Sequence, residues 1–213
     1  MRAILENETF GAAGIELIGA EDPQPFELVN PAGKTQIGIC SDHASNVVPK
    51  SLGTLGLDPS EFDRHIAVDI GAADVARRLA QIFDAPAILA GYSRLVIDYN
   101  RPLDDHTSVR VISDGTVIPG NRRLTSNELD ARANAFFWPY HGAIAAAIAE
   151  RRDGKRCPVV LSIHSYTGEM NGVNRPWQLG VLSGWDRRIA DPLLRGLQER
   201  GGITIGDNEP YSG

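Results

Sequence analysis

Residues 37–49 read IGICSDHASNVVP. A short apolar run, Ile37 to Cys40, gives way to a polar cluster, Ser41 to Asn46, and Pro49 closes it. This is the pattern of a buried strand that delivers polar side chains to the end of a sheet. In open α/β sheets, ligands bind in the crevice beyond the carboxyl ends of the strands. Residues 158–167, PVVLSIHSYT, repeat the arrangement. Two strands that each end in a histidine can place His43 and His164 side by side.

Outward from these two runs, strands alternate with helices. Phe26–Val29 reads as a short strand or a flap over substrate, after an N-terminal stretch broken by Gly11, Gly14, Pro23 and Pro25. Asp58 and Pro59 carry the signature of a helix start, an N-cap followed by proline. Apolar residues recur from Ile66 to Phe83 at the spacing of an amphipathic helix, with Asp69 near its start, one turn after His65. Pro86–Ala90 and Leu95–Tyr99 read as strands. Asp104–Asn121 reads as a long loop of the kind that carries function. Ser126–Glu150 is expected to be a helix, kinked or split by Pro139. Leu179–Leu182 and Ile203–Ile205 read as strands around a helix at Asp186–Glu199, which Gly201 and Gly202 end. The order predicts an α/β fold, a three-layer sandwich with a mixed, largely parallel central sheet, in one domain over residues 1–213.

Composition narrows the function. The 213 residues carry a formal charge of −6, which disfavours nucleic acid as a partner. A local basic pocket for a small acid remains open, with Arg94, Arg101, Arg122 and Arg123 as its candidates. No run approaches the length of a membrane span, and no signal peptide opens the chain. A soluble cytoplasmic protein is expected. Cys40 and Cys157 are too few for a disulfide framework and read as buried free thiols.

A catalytic zinc site uses three protein ligands of the His and carboxylate type and leaves one position open. His43 and His164 would supply two ligands. Asp69 is the first choice for the third, ahead of Asp42 and His65. The competing reading makes both histidines hydrogen-bonded core or loop residues. Asp98-Tyr-Asn-Arg-Pro102 offers an arginine just past a strand end, placed to clamp a carboxylate with two parallel bonds. Asn100 would add a donor. The competing reading there is a salt bridge from Asp98 to a neighbouring arginine. Arg94 and Arg101 face opposite ways on a regular strand and converge only if it bends. Pro119-Gly-Asn121 is a turn whose Asn121 amide could also reach substrate. Trp138–His141 reads mainly as packing, with His141 a candidate for the pocket wall, and His106 as a solvated loop residue.

The segments CDHASNVVP, HIAVDIGAADVARRL, YSRLVIDYNRPL, SDGTVIPGN, FFWPYH, SIHSYT and GDNEPYSG run in order from residue 37 to the C-terminus. In them the chain resembles the N-formylglutamate amidohydrolase family, similar in fold to zinc carboxypeptidases and aspartoacylase-like amidohydrolases. The resemblance implies a metal, Zn2+ first, on His43 and His164, with Asn100 and Arg101 gripping a substrate carboxylate. It implies a small acidic N-acyl amino acid as partner, and neither nucleic acid nor membrane. The oligomeric state is open. Two departures stand out. Asn46 occupies the place where carboxypeptidases carry a glutamate ligand, so Asp69 or another group must complete the site, or the metal is bound weakly. The relatives' general-base glutamate lies on a strand beyond the last segment here, so either the chain is truncated or Glu209 substitutes.

These readings converge on a metal-dependent amidohydrolase cleaving an N-formyl acidic amino acid, with Arg94, Arg101 and Asn121 on its carboxylates and Glu209 as base. A carboxypeptidase-like or murein-peptide amidase, and a carboxylate-binding protein that has lost catalysis, are the alternatives.

Overall fold

The computed structural model describes residues 15–152, 154, 157–170 and 172–211. The expected breakers Gly11 and Gly14 lie outside them, as does the end of the polar tail. The chain forms two compact units, the first ending at Ser165 and the second running from Tyr166.

In the first unit, β1 (Phe26–Val29) and β2 (Ile37–Ser41) precede α1 (Ala72–Phe83) and β3 (Ala87–Ala90). A two-residue hairpin follows, β4 (Ile112–Ser113) and β5 (Thr116–Val117), turned at Asp114-Gly115. Then come α2 (Ser126–Arg132), α3 (Trp138–Glu150) and β6 (Val159–Ser162). The sheet order is β1-β3-β2-β6, with β2 parallel to both neighbours and β1 antiparallel to β3. The sheet is therefore mixed and largely parallel, as the alternation of elements predicts.

Period-two side chains split the sheet's two faces. Ile39, Ala87 and Leu89 pack with Ala76 and Ala80 of α1. Cys40, Ile88 and Ala90 belong to the other core, with Tyr140, Ala143, Ile144 and Ala147 of α3. Helices thus cover both faces, which is why all four residues of β3 are buried. β2 lies between β3 and β6, and its register with β6 sets the two strand ends that carry the histidines.

Three expectations change. The helix expected from Ile66 begins only at Ala72, because Gly71 has φ 79° and resets the backbone. Ile70, expected on the buried face, is 64% exposed. Leu95–Tyr99 is buried like a strand but pairs with none. Its polar backbone is satisfied by the Asn121 amide on the Leu95 carbonyl (2.8 Å) and by Arg132 on the Val96 carbonyl (2.9 Å). The Asp98 amide donates to the Ser108 carbonyl at 2.7 Å. The long helix is split, as Pro139 led one to expect, where Ala133–Phe137 forms a π turn ahead of that proline, whose ring nitrogen cannot donate. Cys157 is exposed, whereas Cys40 is buried, and burial raises its thiol to about 11.

Asp58 caps a short 3-10 turn, Pro59–Asp63, by accepting from the Ser60 amide. Thr125 and Glu128 close a capping box at the start of α2.

The second unit contains the hairpin β7 (Glu169–Met170) and β8 (Val173–Asn174), then β9 (Leu179–Val181), α4 (Ala190–Arg200) and β10 (Ile205–Asp207). β9 and β10 pair in parallel around α4, with Val181, Ala190 and Leu194 as their core. The helix starts later than expected, because the Asp186 carboxylate holds the Arg188 amide and guanidinium in a local turn. The last strand likewise lies two residues later than Ile203–Ile205. Among the described residues, no helix is long and apolar enough to cross a membrane.

Candidate metal and carboxylate site

β2 ends at Ser41 and β6 at Ser162, so His43 and His164 each stand two residues past a strand end. The strands are adjacent and parallel, and the two rings come to 5.0 Å between centroids. Asp69 joins them from the turn before α1. Its backbone amide donates to the His43 carbonyl at 3.0 Å, which ties that turn to the strand end. One donor atom each from His43, Asp69 and His164 lies within 4.8 Å of the others. His43 and Asp69 are buried, and the His164 side chain is 28% exposed. The trio therefore faces partly outward.

Asp98, in the irregular Leu95–Tyr99 segment, meets His43 Nε2 at 2.8 Å. Burial opposes its ionisation, but the hydrogen bond from His43 and the charges of His43 and Arg94 hold it well below the usual carboxylate range. An ionised Asp98 fixes the proton on His43 Nε2. Nδ1 then carries the lone pair. It is buried, makes no hydrogen bond, and lies 3.4 Å from Asp69 Oδ2. Two acceptors facing each other at that distance call for a cation or a proton between them. A buried His with its far nitrogen held by a carboxylate is the arrangement that presents a nitrogen to a metal. The donor set, two His and one Asp, suits zinc.

His164 is bracketed by carboxylates. Nδ1 meets Asp69 Oδ2 at 2.8 Å, and Nε2 meets Asp42 Oδ2 at 3.2 Å and Ser162 Oγ at 3.1 Å. Burial lowers its pKa, but the bonds and charges of Asp42 and Asp69 outweigh that and raise it to about 9. Burial likewise works against the charge on Asp69, but the hydrogen bond with His164 and the nearness of the two imidazoles prevail, so it stays ionised far into acid. Tyr140 donates to Asp42 Oδ1 at 2.6 Å and orients it.

Of the expected site residues, His43, Asp69 and His164 come together, and Arg94 meets them. Arg94 donates to Asp98 Oδ2 at 2.9 Å and to Asp69 Oδ1 at 3.4 Å. The Asp98 salt bridge weighed as the competing reading is thus present, and it is part of the site. Asn100 is exposed, and its backbone amide donates to Asp98 Oδ1 at 3.0 Å. Arg101 is half-buried and donates from Nη1 to the Asn100 carbonyl at 2.8 Å. Asn121 is buried, with its amide on the Leu95 and Arg110 carbonyls and its oxygen on Arg132. That engagement uses both ends of the side chain in the loop beneath the arginines. His65 leaves Asp69 and faces Asp114 at 3.5 Å. Asn46 donates to the Phe62 carbonyl at 3.0 Å. Arg122, Arg123 and His106 are exposed, and His141 Nε2 lies 2.9 Å from the Tyr99 carbonyl. Glu209 belongs to the second unit. It is exposed, with its backbone against Gly180 and Gly206, where a side chain would collide.

Sequence reasoning missed Asp98 as the partner of His43, Tyr140 as the brace on Asp42, and Arg132 as the buried support of the loop. The only signal for Asp98 was its place before Asn100-Arg101. Arg132 had none, since an arginine on an amphipathic helix reads as solvent-facing.

Among solved structures the chain is similar to gene product Atu2144 from Agrobacterium tumefaciens, with 36% identity and a TM-score of 0.88, over 92% of this chain and 78% of that one. It is also similar to N-formylglutamate amidohydrolase from Ralstonia eutropha JMP134, with 21% identity and a TM-score of 0.67, over 90% of this chain and 78% of that one. At that identity the second likeness speaks to the fold alone. No curated protein sequence matches. The sequence profile of the N-formylglutamate amidohydrolase family matches residues 37–213, the span that holds every residue of the site. The chain therefore belongs to the N-formylglutamate amidohydrolase family, hydrolases of linear amide C–N bonds.

Proposed function

We propose that this chain hydrolyses the formyl amide of an N-formyl acidic amino acid such as N-formylglutamate, with a divalent ion held by His43, Asp69 and His164. The observation that carries the metal is the orphaned His43 Nδ1, buried and opposed to Asp69 Oδ2 at 3.4 Å. When bound, zinc would acidify a water and polarise the amide carbonyl. The rest is the work of the chain's own side chains. Asp98 holds His43 in the tautomer that offers Nδ1. Asp42, braced by Tyr140, holds His164 from the other side. Arg94 balances the charge of Asp69 and Asp98, so the two carboxylates do not drive each other to protonate.

Arg101 keeps guanidinium donors free for the α-carboxylate of the substrate, with Asn100 beside it. Asn121 acts through the loop as a positioning residue, because its amide is committed to the Leu95 and Arg110 carbonyls. Glu209 is assigned the proton transfer from water to the leaving nitrogen. Its backbone packing against Gly180 and Gly206 supports a fixed position for it within the second unit. The likeness in fold to zinc carboxypeptidases belongs to this same reading.

The test is formate release from N-formylglutamate by purified protein, before and after chelation. Activity that a chelator removes and added zinc restores is the expected result. Turnover untouched by exhaustive chelation would rule out the metal, and no turnover in the zinc-loaded protein would rule out the substrate.

A further inference from the structure

Arg110 stands at the start of the β4–β5 hairpin, on the loop held down by Asn121. Its guanidinium makes no bond to the acidic groups of the site. Arg94 spends two nitrogens on Asp98 and Asp69. Arg110 makes no side-chain hydrogen bond among the described residues. Its Nε is shut off from solvent without a partner, and its closest approach to an anion is 3.8 Å, from Nη2 to Asp98 Oδ2. That is beyond hydrogen-bonding distance. A buried donor without an acceptor costs free energy that an incoming acceptor would recover.

The charges around it point the same way. Arg94 and Arg101 both repel the Arg110 cation, while Asp98 and Asp105 attract it. Asp98 is already shared by His43, Arg94 and the Asn100 amide. Asp105 is held by the Thr107 amide and hydroxyl. Arg94 is thus matched by Asp69 and Asp98, while Arg101 and Arg110 have no carboxylate within hydrogen-bonding distance among the described residues. Two guanidinium groups without a bonded carboxylate beside a reaction centre suit an anionic substrate. An N-acyl acidic amino acid brings two carboxylates, and Arg101 can serve only one of them.

We infer that Arg110 is a specificity residue of this site, its guanidinium taking the side-chain carboxylate of the substrate while Arg101 takes the α-carboxylate. This rests on the reading of the substrate given above and adds what selects an acidic side chain. The Arg110 side chain is 27% exposed although its Nε is shut off, and the two terminal nitrogens of a guanidinium can donate two parallel bonds to a carboxylate, where a neutral amide offers a single oxygen.

The test has one arm that needs no turnover. Glutarate has the two carboxylates of glutamate at the same spacing, and butyrate has one. Calorimetric titration of wild type should show glutarate binding about 30-fold or more tightly than butyrate, with most of that preference lost in Arg110→Gln. Equal affinities in wild type, or a preference that survives in Arg110→Gln, would overturn the assignment. In the second arm, kcat/KM is compared for N-formylglutamate and its neutral isostere N-formylglutamine. Arg110→Gln should cut the ratio of the two by about 30-fold, chiefly through KM for the acid, and Arg110→Lys should restore part of it. An equal fall on both substrates would show that Arg110 supports the fold instead. If wild type turns over neither substrate while the glutarate preference still depends on Arg110, the proposed reaction fails and the carboxylate site stands.

Discussion

Two regions of the first unit meet at the site, and they are built in opposite ways. The histidine side is made of regular structure. β2 and β6 pair in register, Cys40 opposite Ser162, and the ladder alone brings His43 and His164 together. The arginine side, residues 94–121, has almost no ladder. Its buried backbone is held by Asn121, Arg132 and a few loop amides. The ladder makes the histidine side robust to changes in its polar neighbours. The arginine side depends on single side chains, each of which satisfies several carbonyls at once.

That contrast can be broken by substitution. The largest effect is expected for Asp69→Ala or His164→Ala, each of which removes a proposed metal donor. Each should lose stoichiometric metal and turnover together while keeping the fold, because neither residue belongs to the ladder. Circular dichroism beside elemental analysis reads both, and a variant that unfolds would show that the trio is structural. Next is Arg132→Met. It leaves the Val96 carbonyl and Asn121 oxygen without their donor in a buried setting. A cost of about 3 kcal/mol is expected, and a fall in Tm of roughly 6–12 °C. A Tm within 2 °C of wild type would contradict the account of the loop.

Asp98→Asn tests the hinge between the two regions. It keeps the shape and removes the charge that sets the His43 tautomer. Metal affinity should weaken by about 10–100-fold, read by competition with a chromogenic chelator. A smaller effect is expected from pH on the chelated protein. The pKa of His164 rises from 6.5 to about 9 in the fold, so the fold is stabilised fully below 6.5 and loses that contribution as pH rises through 9. The thermal midpoint of metal-free protein should therefore fall across that window, and that of His164→Gln should not. Zinc should reverse the trend, since fewer protons compete for the donors at higher pH.

The same contrast explains what the sequence disclosed. An apolar run that ends in a histidine is a local pattern, so His43, His164 and the nearness of their two strand ends could be read from it. Asp69 was legible only as a carboxylate near a strand end. Its reach to both histidines depends on the turn that Gly71 permits, and the helical spacing of Ile66 and Ile70 concealed that turn. Leu95–Tyr99 misled in the other direction. Apolarity reported its burial faithfully, but burial does not say which groups satisfy the backbone. The partners were Asn121 and Arg132, more than twenty residues away, and no periodicity marks them. Arg110 was invisible for the same reason, since its meaning lies in the bonds its neighbours have already made.

The most direct test of the account is the metal-to-protein ratio of wild type and Asp69→Asn, purified side by side and equilibrated with limiting zinc. The account predicts about one ion per chain in wild type and a large loss in the variant, because Asp69 Oδ2 is the atom that faces both histidines. A wild type that takes up no zinc, or an Asp69→Asn protein that retains it in full, would contradict the central claim.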